Sequence, residues 1–428
     1  VLTAEAAPPR PRARLETVSL FLVAVALCVG VALLQGEGEN LPGNMGYLHV
    51  VETRQVLAGR GFGRWYLDVF HPDTFLRPAY TLLLCPLSAL FDPAWQAVRA
   101  AAAAVQGALL ATTGLAVGAI LVRAGAVRAA RLAPWLVVVH PVLVSQSAAL
   151  VDTMLFTVAT VGAYAVAATA PADARPRRWL AAGLVLGVAL LTRSTAVAIV
   201  PAVALAAGRA VRGARARLAA AGLLAVGVVA VLAPWFLRNH ALCGRWMLST
   251  VDGVNLWMGN NENTSAFLDA DRSLDELPGR ARYDSSEMVP VAEQVERCDA
   301  ARAAALEYMR AHPGETAALA ARKAADFWSV TPAPRSSRSR LGAWKDAVCA
   351  LWTAPLFAFA LAGAVLAWRE RGALRALSVD VTLTAVLFTL PHALAWGGTR
   401  LRVPIDPLLV ALAAIGAAAL WARVRRSP

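Results

Sequence analysis

PAYTLLLCPLSALF, residues 78–91, is the stretch on which the fold turns. An α-helix of this length rises about 21 Å, short of the roughly 30 Å of hydrocarbon in a bilayer, so the run fits a re-entrant or interfacial helix better than a span. Its placement fixes the side of everything after it. Upstream, residues 17–35 (TVSLFLVAVALCVGVALLQ) form a clean span, and Arg10, Arg12 and Arg14 ahead of it put the N-terminus in the cytoplasm. Downstream lie apolar runs at 96–122, 132–149, 153–171, 179–191, 195–208, 218–234, 345–367, 376–392 and 404–422.

If 78–91 stays at the external surface, these runs and the first make ten crossings, and every basic cluster falls inside. The clusters are Arg123/Arg128/Arg131, Arg175/Arg177/Arg178, Arg209/Arg212/Arg215/Arg217, Arg369/Arg371/Arg375 and Arg423/Arg425/Arg426. If 78–91 crosses, they all fall outside, against the positive-inside rule. The charge pattern therefore selects an all-α polytopic membrane protein of about ten transmembrane helices, with external juxtamembrane helices and both termini cytoplasmic. The short runs 179–191 and 195–208 read as tilted or partly unwound around Arg193.

Composition agrees. The 428 residues are 58% hydrophobic and only 16% charged, with a mean hydropathy of +0.54, against about 25% charged in soluble globules. The net charge of +13 is spread over the turn clusters, so no nucleic-acid partner is expected. Five cysteines without a CxxC pair give neither a zinc site nor a disulfide framework; Cys243 and Cys298 can pair only if both face an oxidising compartment.

Four parts follow. Residues 1–16 are Pro/Arg/Ala-rich and read as disordered, and the run behind them lacks a cleavage pattern and reads as an anchor. Residues 17–237 form an N-terminal transmembrane module with a first external loop at 36–95, in which 47–57 has the period of an amphipathic helix ended by Gly59 and Gly61. Residues 238–343 form an external cap, helical from about Val291 and restarting after His312-Pro313, and 344–428 a C-terminal transmembrane module.

The chemistry is expected at the external membrane ends. Arg77, Arg193, Arg238, Arg400 and Arg402 lie there against the charge rule, and a guanidinium fork suits phosphate oxygens. Pairing with external acids is the plain alternative. Asp152 emerges at the same face, either as a helix cap or as a working acid. The six histidines map outside without zinc spacing; a divalent metal is left open and no other cofactor is indicated. Few charged residues fall in mid-span, Arg99 and Asp380 among them, which argues against an ion-coupled transporter.

The order of features resembles the GT-C membrane glycosyltransferases, in the bacterial branch similar to dolichyl-phosphate-mannose protein mannosyltransferases and aminoarabinose transferases. The likeness is carried by NMGYLHVVETRQVLAGRGF (44–62), LRPAYTLLLCPLSALF (76–91), HPVLVSQSAALVDTMLFT (140–157), WLAAGLVLGVALLTRSTAVAIVP (179–201), APWFLRNHALCGRWMLST (233–250), NLWMGNNENTSA (255–266), ARKAADFWS (321–329) and TRLRVPIDPLLVALAA (399–414). It implies inverting transfer of a sugar from a polyprenyl-phosphate donor to a glycan, lipid or protein acceptor at the external face of a bacterial inner membrane. Arg77, Arg193, Arg400 and Arg402 would then hold the donor phosphate, with Tyr47, Asn260 and Asn261 on the substrate.

The family carries an Asp about four residues before the loop tyrosine, whereas Tyr47 follows Pro42-Gly43-Asn44-Met45-Gly46. Asn44 is the nearest counterpart, and an amide orients a hydroxyl but takes no proton. Glu39 is the expected base on the flexible approach, with Asp152, which matches the family's second external acid, in support. The missing Asp leaves a second reading, a catalytically silent scaffold that binds or assembles lipid-phosphate sugars.

Overall fold

The computed structural model describes residues 10–34, 45–66, 68–171, 173–284, 289–332 and 340–425. The first span is α1 (Arg10–Leu34) and the loop helix is α2 (Met45–Leu57). The chain leaves α2 through Gly59 and Gly61, both at positive φ, where a side chain would be strained. A small antiparallel hairpin follows, β1 (Gly63–Tyr66) against β2 (Val69–Pro72), with Trp65 opposite Phe70. Two four-residue strands are too short to show an alternation. They are the one departure from an all-helical fold among the described residues.

α3 (Pro78–Phe91) is the deciding stretch, and it lies along α2. His49 Nδ1 meets Thr81 Oγ1 near the start of α3, and Arg54 pairs with Asp92 just past its end. Both ends of α3 are thus tied to one short helix, α2.

α4 (Trp95–Arg123) then runs for 29 residues. The expected span 132–149 is instead a bent pair, α5 (Val127–Val138) and α6 (Pro141–Ala148), at 45° to each other. Pro141 causes the break: a residue before proline is driven to extended backbone, and His140 has ψ of 115°. α7 (Thr153–Ala168) and α8 (Pro176–Thr192) follow. Arg193 is extended, residues 194–199 wind as a tighter 3-10 turn, and α9 (Val200–Ala210) completes that segment, as the two short runs foretold.

α10 (Ala214–Cys243) spans back to the loop end. There α11 (Val251–Met258), α12 (Thr264–Asp269), α13 (Arg280–Tyr283), α14 (Val291–Ala311) and α15 (Pro313–Phe327) form the cap. α16 (Arg340–Arg369), α17 (Ala373–Leu394), the short α18 (Thr399–Arg402) and α19 (Asp406–Val424) close the chain. Among the described residues six segments, α1, α4, α10, α16, α17 and α18 with α19, are long and apolar enough to cross a bilayer by themselves. The chain is an integral membrane protein.

Glycines seat the spans against one another. A Cβ on Gly183 would lie 2.1 Å from the Leu224 carbonyl oxygen, and one on Gly363 1.8 Å from that of Leu412. α8 on α10 and α16 on α19 are therefore backbone-to-backbone contacts of the kind small residues permit in lipid. At the loop end, Phe75 and Leu76 share a core with Val254, Trp257 and Met258 of α11 and with Ala301 and Ala305 of α14. Gln294 fastens the cap to the first loop, accepting from Thr74 N and Oγ1 and donating to the Pro72 carbonyl. Cys243 and Cys298 are free thiols.

Candidate functional site

Arg77 stands immediately before α3, held in extended backbone by Pro78. Its Nη2 donates to Asp252 Oδ1 at 2.8 Å, in the first turn of α11, and to Ser194 Oγ at 3.2 Å. Arg193, at the break between α8 and the 3-10 turn, grips Asp152 with Nε, 3.1 and 3.0 Å from the two carboxylate oxygens, and with Nη2. Its Nη2 also reaches Thr153 Oγ1 at 2.9 Å, and its guanidinium lies over the Phe156 ring. Because Ser194 follows Arg193, the two ion pairs are neighbours. Four separate chain segments thus bring two guanidinium groups and two carboxylates into one patch.

The patch is open. Asp252 is 45% exposed, Arg77 12%, and Arg193 and Asp152 20% and 21%. Asp152 makes no capping bond to the start of α7. Burial pushes its carboxyl up, but the charge and hydrogen bonds of Arg193 outweigh this and hold it below the usual carboxylate range, with His49 and Arg77 adding to the effect.

Behind the patch is a sealed polar layer. Thr81 Oγ1 lies 2.7 Å from Glu52 Oε2 and 2.9 Å from His49 Nδ1, which links the three side chains by hydrogen bonds. Burial depresses His49 to about 4, so it is neutral at pH 7. Burial, helped by the charge of Asp73, raises Glu52 to about 8. Asp73 pairs with Arg64 at 2.8 Å, both almost wholly buried. Arg238 donates to the Asp73 and Phe62 carbonyls and lies over Trp235, fixing the hairpin to α10.

The other expected residues part company. Arg402 is buried, donating to Asp406 Oδ1 at 2.9 Å and to the carbonyls of Phe327 and Ser329. Asn260 and Asn261 are also buried and spend their amides on backbone carbonyls, Asn260 on Leu256 and Leu394 and Asn261 on Trp257. The bonds of Asn260 to Leu394 and of Arg402 to Phe327 and Ser329 join the cap to the membrane part, and all three side chains are buried. Beside them Lys323, unremarked in the sequence, is buried and donates to the carbonyls of Gly259, Leu394 and Ala395; burial lowers it to about 8. Arg400 is exposed over Trp396, and Tyr47 is half-buried in the first turn of α2.

Glu39 and Asn44 lie outside the described residues. The described chain resumes at Met45, and a Cβ on Gly46 would fall 2.6 Å from the Leu150 carbonyl oxygen, so α2 begins against the turn that carries Asp152. Asp252 and Ser194 are site residues that the sequence did not single out. His49, Glu52 and Thr53 at helical spacing were a signal for the sealed layer. Among the described residues no three His, Cys, Asp or Glu side chains are grouped to hold a metal ion.

No protein-family model matches the sequence, and no curated protein matches it significantly. Solved structures do. The apo oligosaccharyltransferase of Archaeoglobus fulgidus superposes with a TM-score of 0.56 at 13% identity, covering 95% of this chain and 51% of that one. The same archaeal enzyme, AglB, in complex with an inhibitory peptide and a dolichol-phosphate gives 0.55 at 12% identity, covering 96% and 51%. ArnT from Cupriavidus metallidurans bound to undecaprenyl phosphate overlaps at 0.40 and 15% identity, covering 94% and 79%. The chain spans about half the length of the archaeal structures it matches. At such identities the likeness shows the fold alone, the polytopic helical one of the archaeal oligosaccharyltransferase.

Proposed function

We propose that the chain is an inverting glycosyltransferase that takes a sugar from a polyprenyl-phosphate donor to a glycan, lipid or protein acceptor at the loop end, the external face by its charge pattern. The observation that carries this reading is the open pairing of Arg77 and Arg193 with Asp252 and Asp152 in a fold shared with an enzyme that binds dolichol-phosphate. A phosphate arriving at this patch meets two guanidinium forks at once and displaces carboxylates that are already wet. As the bond from the anomeric carbon to the phosphate breaks, charge grows on the departing phosphate, which both arginines stabilise.

Asp152 has a part in the same step. While Arg193 grips it, it is a weak base. A phosphate that draws Arg193 away releases the carboxylate, which then gains basicity and can take the acceptor proton. Glu39 is the other candidate base, and Asn44 a candidate to orient the acceptor. Arg400, exposed at the start of the last span, is a further ligand for the donor phosphate.

A second reading, a silent binder of lipid-phosphate sugars, is favoured by the full pairing of Asp152. One experiment separates them: transfer from labelled polyprenyl-phosphate sugars in membranes, measured beside donor binding for wild type, Asp152→Asn and Glu39→Gln. Transfer that one substitution abolishes while binding persists supports the enzyme. Binding without transfer in the wild type across a broad donor panel supports the silent scaffold.

A further inference from the structure

The opposite, arginine-rich end of the spans carries a cavity of about 410 Å³ that the reaction above does not use. It opens among the ends of four segments, at Arg123 of α4, Ala168 of α7, Arg209 of α9 and Gly372 ahead of α17. Along α17 it runs inward to Asp380, about 12 Å from the rim at 1.5 Å per residue. Alanine and glycine make most of its wall, which is why helices that touch elsewhere leave room here.

The floor is unusual for an ion pair. Tyr164 OH donates to Asp380 Oδ2 at 2.8 Å, and Arg209 Nη2 donates to the same oxygen. Both donors crowd one oxygen, and Oδ1 is buried with no hydrogen-bond partner among the described residues. A pair built only to join α9 to α17 would use both oxygens, as arginine and carboxylate commonly do. Asp380 is 1% exposed, whereas the Arg209 side chain is 40% exposed at the mouth. Arg123, also exposed, stands across the same mouth.

Two cations at the rim and an unsatisfied acceptor at the floor describe a ligand with an anion followed by a hydrogen-bond donor. By the charge distribution this rim lies at the headgroup level of the cytoplasmic leaflet. We propose that the cavity binds a phosphodiester whose substituent carries an N–H or O–H donor, such as ethanolamine or glycerol. Arg123 and Arg209 take the phosphate and Asp380 takes the donor. A choline substituent, which has no such hydrogen, is selected against. The chemistry is that of a phospholipid headgroup or of its soluble glycerophosphodiester, and the volume lies within the range of small-ligand pockets.

Native mass spectrometry of the full chain in maltoside micelles tests this, with dihexanoyl-phosphatidylethanolamine, dihexanoyl-phosphatidylcholine and glycerophosphoethanolamine as probes. The ethanolamine lipid is expected to be retained at least about fivefold over the choline lipid. Arg123→Gln, an exposed change that leaves the fold intact, and Arg209→Gln are each expected to lower its retention about tenfold. Asp380→Asn is expected to bring the two lipids level. Retention of glycerophosphoethanolamine equal to that of the lipid makes the ligand a soluble phosphodiester; weaker retention makes it a membrane lipid. Equal retention of the two lipids by the wild type, or retention untouched by Arg123→Gln, overturns the proposal and leaves a structural tie.

Discussion

Arg193 and Arg402 look alike in the sequence, each an arginine at the loop end of an apolar run with an aspartate for a partner. In the fold they are opposites. Arg402 and Asp406 are 1% and 0% exposed and sit one helical turn apart, under the Phe327 and Ser329 carbonyls. Arg193 and Asp152 are 20% and 21% exposed and come from segments 41 residues apart in sequence. A sealed pair is a fastener, because its charges are too costly to separate. An open pair between segments is a place where a stronger anion can enter. Arg64 with Asp73 belongs to the first kind and Arg77 with Asp252 to the second.

The largest effect expected from this contrast falls on stability. Arg402→Met leaves the buried Asp406 carboxyl with only His140 Nε2, 3.6 Å away, beside it and should lower unfolding free energy by about 3–5 kcal/mol. Denaturant or thermal unfolding in micelles measures it. Adding Asp406→Leu should recover part of the loss, since an apolar pair replaces a buried ion pair well. An Arg402→Met protein as stable as wild type would break the distinction between fasteners and open pairs.

Next is catalysis. Arg193→Gln should reduce transfer by about 10²–10³-fold, the usual cost of losing a donor to developing negative charge. Its melting temperature should fall far less than that of Arg402→Met. Rates from a saturating-donor assay, set beside unfolding curves, check both halves. Equal damage to stability and rate in Arg193→Gln would make it a second fastener.

A smaller change separates Glu52 from the acids of the open patch. Its folded pKa of about 8 is above its ordinary value of 4.5, so folding takes up a proton between those values. Stability attributable to this group is full below pH 4.5, declines as pH rises toward 8 and is flat above. Glu52→Gln needs no proton and should be more stable than wild type at pH 8 by on the order of a few kcal/mol, with the gap closing toward pH 4.5. Unfolding followed from pH 5 to 9 shows it. A gap that is constant with pH would mean that Glu52 folds ionised.

The sequence was legible where one variable decides the outcome. Hydropathy marked the long spans, and proline and glycine marked the ends of α2, α14 and α15. The hairpin at 63–72 and the bend at His140 escaped because each depends on a few residues in tertiary contact. The site was half legible for the same reason. Position against the charge rule picked out Arg77 and Arg193, which the fold brings into one patch, but it ranked the buried Arg402 with them. Burial is a property of the assembled helices, and no local pattern around TRLRVPID distinguishes an arginine that faces inward. Asp252 was invisible because its partner lies 175 residues away.

The smallest expected effect probes the open pair from its acid side. Asp252 is 45% exposed, so its bond to Arg77 contributes little to stability, about 0.2–1 kcal/mol by the usual measure of exposed ion pairs. Asp252→Asn should therefore leave unfolding nearly unchanged. What it alters is competition, since a phosphate that approaches Arg77 no longer has to displace a carboxylate. Polyprenyl phosphate should bind about two- to fivefold more tightly, by the same 0.2–1 kcal/mol. Raising the salt concentration should shrink that gain, because the repulsion removed is between partly solvated charges. A titration of undecaprenyl phosphate into wild type and Asp252→Asn at low and high salt measures both. Weaker binding by Asp252→Asn would reverse the assignment, making Asp252 the residue that aims Arg77 at the phosphate and not its rival.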